Sequence, residues 1–380
     1  MKKSSIRKTG IVLSAVILFA VGCGQSDSRS SQASVSDQSL TENIQPTQNT
    51  QEQAEEMTEI SEGADTICEI TGYSEYSGEN KDMFLKKGDR IAVIAPSSYP
   101  TREQTDATVE GLRQWGYEPV EGDHVCDEKR TLADCRADIE KALTDDSIKG
   151  IFCVRGGYGG SEVMDELSLD MLKNSRKLII GYSDITSYHA GWTSAGLPSL
   201  HACMSGTFTD LPNECKEAEQ KMMMGEIPAY RCSSTEYNKQ GSAEGILIGG
   251  NLSTFLTVIN TAYDCTKKGV PYILFFEDVG ENIAHLHRYL TILKNAGVLE
   301  KAEGIIFGEW TDVPYPLNYD SRGEGFKSIS DMISKQILPD INVPVAFGFP
   351  AGHADTNYPL LMGEKAKLTV EKDSFTLSWT

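Results

Sequence analysis

Basic residues are in short supply: 35 Lys and Arg face 55 Asp and Glu across 380 residues, a formal charge of −20. A surface with that balance cannot neutralise a phosphate backbone, so nucleic acid is excluded as a partner. Also missing from the sequence are any Cys-x-x-Cys pair, any His-Glu-x-x-His and any Cys/His cluster at zinc spacing. Without them neither a metal nor a cofactor is expected. The glycine-rich run Arg155–Gly160 completes no phosphate loop of the GxxxxGK[ST] or GxGxxG type. The apolar fraction of 39% and the fifteen Tyr argue against wholesale disorder, and the length suits two domains or one with a long appendage.

The charge is unevenly spread. Residues 1–22 carry Lys2, Lys3, Arg7 and Lys8 with no acid, then an uncharged apolar run from Gly10 to Gly22. That run is shorter than the ~20 residues a bilayer-spanning helix needs and suits the core of a signal peptide. It ends in Ala20-Val21-Gly22-Cys23, with Ala20 where a lipoprotein signal usually has Leu. The expectation is a lipidated Cys23 that anchors the chain on the extracytoplasmic side of the cell membrane; the alternative is an ordinary signal peptide with an incidental Cys. Residues 23–83 read as a polar tether, with 13 acids against two bases over 24–83. The stretch from 24 to about 66, rich in Ser, Gln, Thr and Glu, has too little apolar surface to offset ordering entropy. Eight further cysteines follow; their spacing leaves pairing open, and Cys153 reads as a buried thiol.

Alternation of strands and helices begins near Arg90. Ile91–Ala95, Tyr117–Val120, Gly150–Val154 and Lys177–Ile180 read as strands, with helices over Thr101–Trp115, Thr131–Leu143 and Ser161–Leu172 between them. This predicts an α/β fold: a parallel-sheet N-terminal domain over 84–205 with helices on both faces. An irregular interdomain connection is expected over 206–244, and a smaller β-rich C-terminal domain over 245–380. In parallel sheets ligands gather at the carboxyl ends of strands, here Pro96-Ser97-Ser98, Arg155–Gly160 and Gly181–Asp184.

Ser183 follows an apolar strand, with Gly181 two residues before it. That is the setting of a nucleophile elbow, although Ile185 stands where a second Gly is usual; the rival reading is a helix cap shared with Asp184. A serine hydroxyl needs a base, and the base an acid. Of six His, His353 stands in the loop Gly348–His353, open to a cleft, while His285 and His287 diverge on one helix. Glu277 follows Ile273–Phe276 at a strand's mouth, with Glu281 a competitor better suited to a helix dipole or salt bridge. The Arg155–Gly160 loop can aim N–H groups at an oxyanion. Arg155 either binds a substrate carboxylate or holds that loop.

Arg155–Gly159, Gly181–Thr186, Leu247–Leu252, Phe276–Glu281 and Gly348–His353 occur in order. Together they resemble the LD-carboxypeptidase family of serine peptidases from about Phe84 to Thr380. The resemblance implies Ser183 as nucleophile, His353 as base, Glu277 as the orienting acid, and an oxyanion hole from the backbone N–H groups of Asp184 and Gly157. It also implies a homodimer that acts on peptidoglycan-derived peptides and releases the D-Ala joined to L-Lys or diaminopimelate in murein tetrapeptides. The alternatives are a peptidase of peptide-nucleotide antibiotics of the microcin-C type, or a lipoprotein that binds cell-wall fragments without turnover. His201-Ala202-Cys203-Met204 and Asn282-Ile283-Ala284 depart from the family's usual His-Gly-Pro-Met and Pro-Tyr steps, which bears on substrate preference.

Overall fold

The computed structural model describes residues 58–62, 66–315 and 325–380. The basic leader, Cys23 and residues 23–57 of the expected tether lie outside the described residues. Two strands, β1 (Thr58–Glu62) and β2 (Cys68–Glu75), fall inside the span read as tether and correct it. Average composition hides them because an edge strand needs only one modestly apolar face, here supplied by Cys68 and Ile70.

The expected alternation follows. It comprises β3 (Arg90–Ile94), α1 (Arg102–Gln114), β4 (Glu118–Glu121), α2 (Leu132–Thr144) and β5 (Ile148–Cys153). Next come α3 (Gly160–Asp165), α4 (Leu169–Ser175), β6 (Leu178–Gly181), α5 (Thr186–Ala195) and β7 (Ser199–His201). Thr101 and Thr131 open α1 and α2 with reciprocal capping boxes. The single helix expected over Ser161–Leu172 is broken where the Ser168 side chain caps α4. Strands β4, β3, β5, β6 and β7 are parallel neighbours in that order. Ile91, Val93 and Ala95 pack with Val109 and Leu112 of α1, whereas Ala92 and Ile94 pack with Cys135 and Ile139 of α2. A strand apolar on both sides therefore carries helices on both faces.

The span 206–244 is more regular than expected: it holds α6 (Asn213–Met223), β8 (Glu226–Ser233) and the start of β9 (Gly241–Asn251). Then come α7 (Leu252–Phe255), β10 (Tyr272–Val279), α8 (Ile283–Asn295), β11 (Gly304–Tyr315), α9 (Ile329–Met332) and β12 (Val345–Phe347). The chain closes through β13 (Leu360–Met362), β14 (Lys365–Val370) and β15 (Ser374–Trp379). A nine-stranded mixed sheet runs β1-β11-β10-β9-β14-β15-β8-β2 with β12 beside β11, while β13 returns to pair antiparallel with β7 in the six-stranded sheet. The cysteine pairing left open by the sequence is settled for one pair: Cys68 and Cys232 face each other across β2 and β8 and form a disulfide.

The nine-stranded sheet cannot be flat. Its edge strands β1 and β2 are joined by the few residues from Glu62 to Cys68, whose reach is at most ~22 Å. Seven strand steps in a flat sheet would separate the edges by ~34 Å. The sheet therefore curls until its edges approach.

Candidate active site

The strand β6 ends at Gly181, where an added Cβ would lie 2.9 Å from Ile185 Cγ1 and 3.1 Å from Cys153 Cβ. Two residues on, Ser183 has φ +63°, a left-handed conformation that costs an L-residue energy and marks functional turns. The short turn Ser183–Ile185 has no side-chain cap, so Ser183 is not a helix cap. Its hydroxyl has no hydrogen-bond partner among the described residues. The buried Asp184 instead accepts the Gly160 N–H at 2.7 Å and fastens the glycine-rich loop to the elbow.

Within that loop, Gly156 lies against the serine: an added Cβ would sit 2.9 Å from Ser183 Cβ, 3.1 Å from its Oγ and 3.2 Å from Asp184 N. Gly157, singled out for its N–H, has φ +108° and packs against Ser98, whose hydroxyl accepts the Tyr158 N–H at 3.1 Å. Arg155 donates from Nη1 to the Tyr99 carbonyl at 3.1 Å.

Glu277 and His353 meet although 76 residues separate them: Nδ1 of His353 lies 2.7 Å from Glu277 Oε2. Glu277 is fully buried in β10, two residues inside the strand rather than past its end, opposite Asn251 of β9. Gly352 permits the contact; it has φ +142°, and a Cβ there would lie 3.0 Å from Glu277 Oε2. Burial works against the His353 imidazolium. The charge and hydrogen bond of Glu277, backed by Asp278 and Asp312, outweigh it and hold the pKa above the ordinary 6.5. Tyr182, next to Ser183, brings the elbow to this pair: its ring centroid is 4.8 Å from that of His353. The competitor Glu281 is engaged elsewhere, 2.7 Å from His285. His189 and His201 are buried and held uncharged, His189 with its pKa pushed down to about 4.

Three features escaped the sequence reading. The first is a polar seam: Thr186 Oγ1 accepts the Asn251 N–H at 2.9 Å, and Asn251 Nδ2 donates to Asp278 Oδ1 at 2.8 Å. Burial, then the neighbouring Glu277, lifts the Asp278 pKa to about 6. The second is Gly156. The third is Glu309, which follows Phe307-Gly308 much as Glu277 follows Phe276; that shared pattern was the available signal. Opposite Glu277, β11 carries one extra residue: Phe276 pairs with Phe307, but Asp278 pairs with Trp310. Such a bulge re-aims side chains. Glu309 thereby lines, with His353, Asp312, Asp355, Tyr358 and Cys68, a cavity of about 760 Å³.

A buried carboxylate–imidazole pair whose imidazole packs on Tyr182, the residue before a serine of positive φ, offers the groups that nucleophilic acyl chemistry uses. Comparison with known proteins agrees. Residues 91–202 match the model of the LD-carboxypeptidase N-terminal domain and residues 244–368 that of the LD-carboxypeptidase C-terminal domain. The chain is 28% identical over 312 residues to the probable murein peptide carboxypeptidase of Bacillus subtilis, covering 78% of this chain and 94% of the relative. Its fold is similar to the muramoyltetrapeptide carboxypeptidase of Oxalobacter formigenes, with TM-score 0.67, 24% identity, and coverage of 76% of this chain and 98% of the other. It is likewise similar in fold to the microcin C7 self immunity protein MccF in complex with aspartyl sulfamoyl adenosine, with TM-score 0.64, 20% identity, and coverage of 78% and 98%. The chain therefore belongs to the LD-carboxypeptidase family and is a peptidase of the serine class.

Proposed function

We propose that the protein is a carboxypeptidase of peptidoglycan-derived peptides, with Ser183, His353 and Glu277 as its triad. His353 takes the Ser183 proton on the ring nitrogen not held by Glu277 as the oxygen attacks the amide carbonyl. Glu277 steadies the imidazolium that forms. The backbone N–H groups of Asp184 and Gly157 receive the oxyanion, each worth about 3 kcal/mol by analogy with other oxyanion holes. The imidazolium returns its proton to the leaving amine of D-Ala, and water then releases the shortened peptide from Ser183 with His353 again as base. The observation that carries this reading is the 2.7 Å contact of Glu277 with His353, joined to the serine elbow through Tyr182.

The test is mass spectrometry of purified tetrapeptide muropeptides incubated with the full chain. Loss of one D-Ala is expected, and the Ser183→Ala variant should leave the peptide intact. Unchanged turnover in that variant would remove Ser183 from the mechanism. No D-Ala release by the parent chain would favour a binding protein without turnover. The likeness to MccF motivates a second substrate, an aminoacyl-sulfamoyl nucleoside, and rates measured side by side decide between the two.

The leader belongs to the same proposal: lipid on Cys23 holds the enzyme at the outer side of the cell membrane, near its polymer. A Cys23→Ala chain that stays equally membrane-bound would refute that. A homodimer, as the family resemblance implies, is checked by sedimentation of the full chain.

A further inference from the structure

The cavity beside His353 has an acidic wall that the triad does not use. Glu309, Asp312 and Asp355 line it, and no Lys or Arg does so among the described residues. Glu309 is 2% exposed and its Oε2 has no hydrogen-bond partner among the described residues. An acceptor left unpaired inside a protein costs stability unless a ligand or water completes it. Pro350 and Tyr358 offer apolar surface in the same cavity.

We propose that this wall is a recognition site for a primary ammonium group, with Glu309 as the specificity-determining residue for the cationic side chain next to the scissile bond. The proposal takes from the functional reading that the ligand is a peptide ending in D-Ala. A lysine or diaminopimelate side chain fits the chemistry: its methylenes lie along Pro350 and Tyr358 and its ammonium ends at Glu309, flanked by Asp355 and Asp312.

The free site is poised to respond to charge. Burial, then Glu277 and Asp355, pushes the Glu309 pKa up to about 8, so the empty cavity holds a neutral carboxyl at pH 7. The titratable groups around it are Glu277 on β10, Asp312 on β11, Cys215 on α6, and His353, Asp355 and Tyr358 on the loop after β12. An arriving ammonium stabilises the carboxylate, so the carboxyl proton passes to solvent as the ion pair forms. Binding of a cationic peptide should therefore release close to one proton at pH 7 and tighten as pH rises toward 8.

The experiment is titration calorimetry of the full-length Ser183→Ala protein in two buffers of different ionisation enthalpy. The probes are acetyl-L-lysyl-D-alanine and acetyl-L-norleucyl-D-alanine. The lysyl peptide should bind at least about tenfold tighter and alone release a proton. Adding Glu309→Gln should abolish both differences. Equal affinities, or a preference and proton release that survive Glu309→Gln, would overturn the proposal. If that variant fails to fold, the exposed Asp355→Asn should still weaken the lysyl preference, and an unchanged preference is then the adverse result. Catalysis is judged separately by D-Ala release from the parent chain. A lysyl preference without release would sink the carboxypeptidase reading alone, whereas release with equal affinities would sink only the acidic wall.

Discussion

Glu277 grips His353 through Nδ1 at 2.7 Å from a position with no solvent exposure, its other oxygen unpaired among the described residues. A carboxylate so placed orients the ring and fixes its tautomer, leaving the second ring nitrogen free to act. Glu277→Gln keeps the volume and loses the charge. It should lower kcat by about 10³–10⁴-fold with little change in KM, in line with loss of the orienting acid in other triads. Steady-state D-Ala release checks this.

The pH profile follows from the same pair. A base must be neutral to work, so kcat/KM should climb with pH through a pKa above the ordinary 6.5 of His353. In Glu277→Gln the charge that raised it is gone while burial remains, so the limb should shift to lower pH. For stability, a raised histidine pKa contributes fully below 6.5 and its contribution is lost as pH rises through the folded value.

His189 and His201 act with the opposite sign. Both stay neutral when folded, so unfolding takes up protons below the ordinary 6.5 and stability falls as the pH drops. For His189, whose folded value is about 4, the loss should reach ~3 kcal/mol by pH 4. The raised carboxyl pKa values of Asp278 and Glu309 work in the other direction over the same range, so the check is a difference: between pH 7.5 and pH 5 the urea midpoint of His201→Leu should gain on that of the parent.

At the elbow, backbone strain and activity can be separated. Ser183→Gly relieves a φ of +63° and should be ~1 kcal/mol more stable than Ser183→Ala, with both variants inactive. Gly156→Ala pushes a methyl to 3.1 Å from Ser183 Oγ and should cost far more activity than stability. Thermal melts beside rate measurements distinguish the two.

The disulfide closes a span of 164 residues, for which chain entropy predicts up to ~5 kcal/mol. Reductant should lower the melting temperature of the parent protein and leave a Cys68→Ser, Cys232→Ser double variant unmoved.

The parallel sheet was legible because Ile91–Ala95 and Lys177–Ile180 are uninterrupted apolar runs bounded by turn residues, and such runs admit few other placements. Glu277 and His353 were legible as polar side chains where apolar strands meet glycine. Their mutual contact follows only from the family resemblance and not from local pattern, since it depends on Gly352 letting a loop approach a strand 76 residues earlier. The strands β1 and β2 were missed because polar neighbours mask a one-faced edge. Glu309 was missed because its placement depends on a bulge, which is set by pairing between strands and not by local pattern.

The Thr186–Asn251–Asp278 seam joins the segment that bears Ser183 to the segment that bears Glu277. These buried polar contacts tie the two matched halves together beside the proposed triad. A few tenths of an ångström of slippage between the halves would spoil proton transfer while both cores stayed intact. Gentle heating should therefore silence this enzyme before its helices melt, and a ligand that spans both halves should delay that failure.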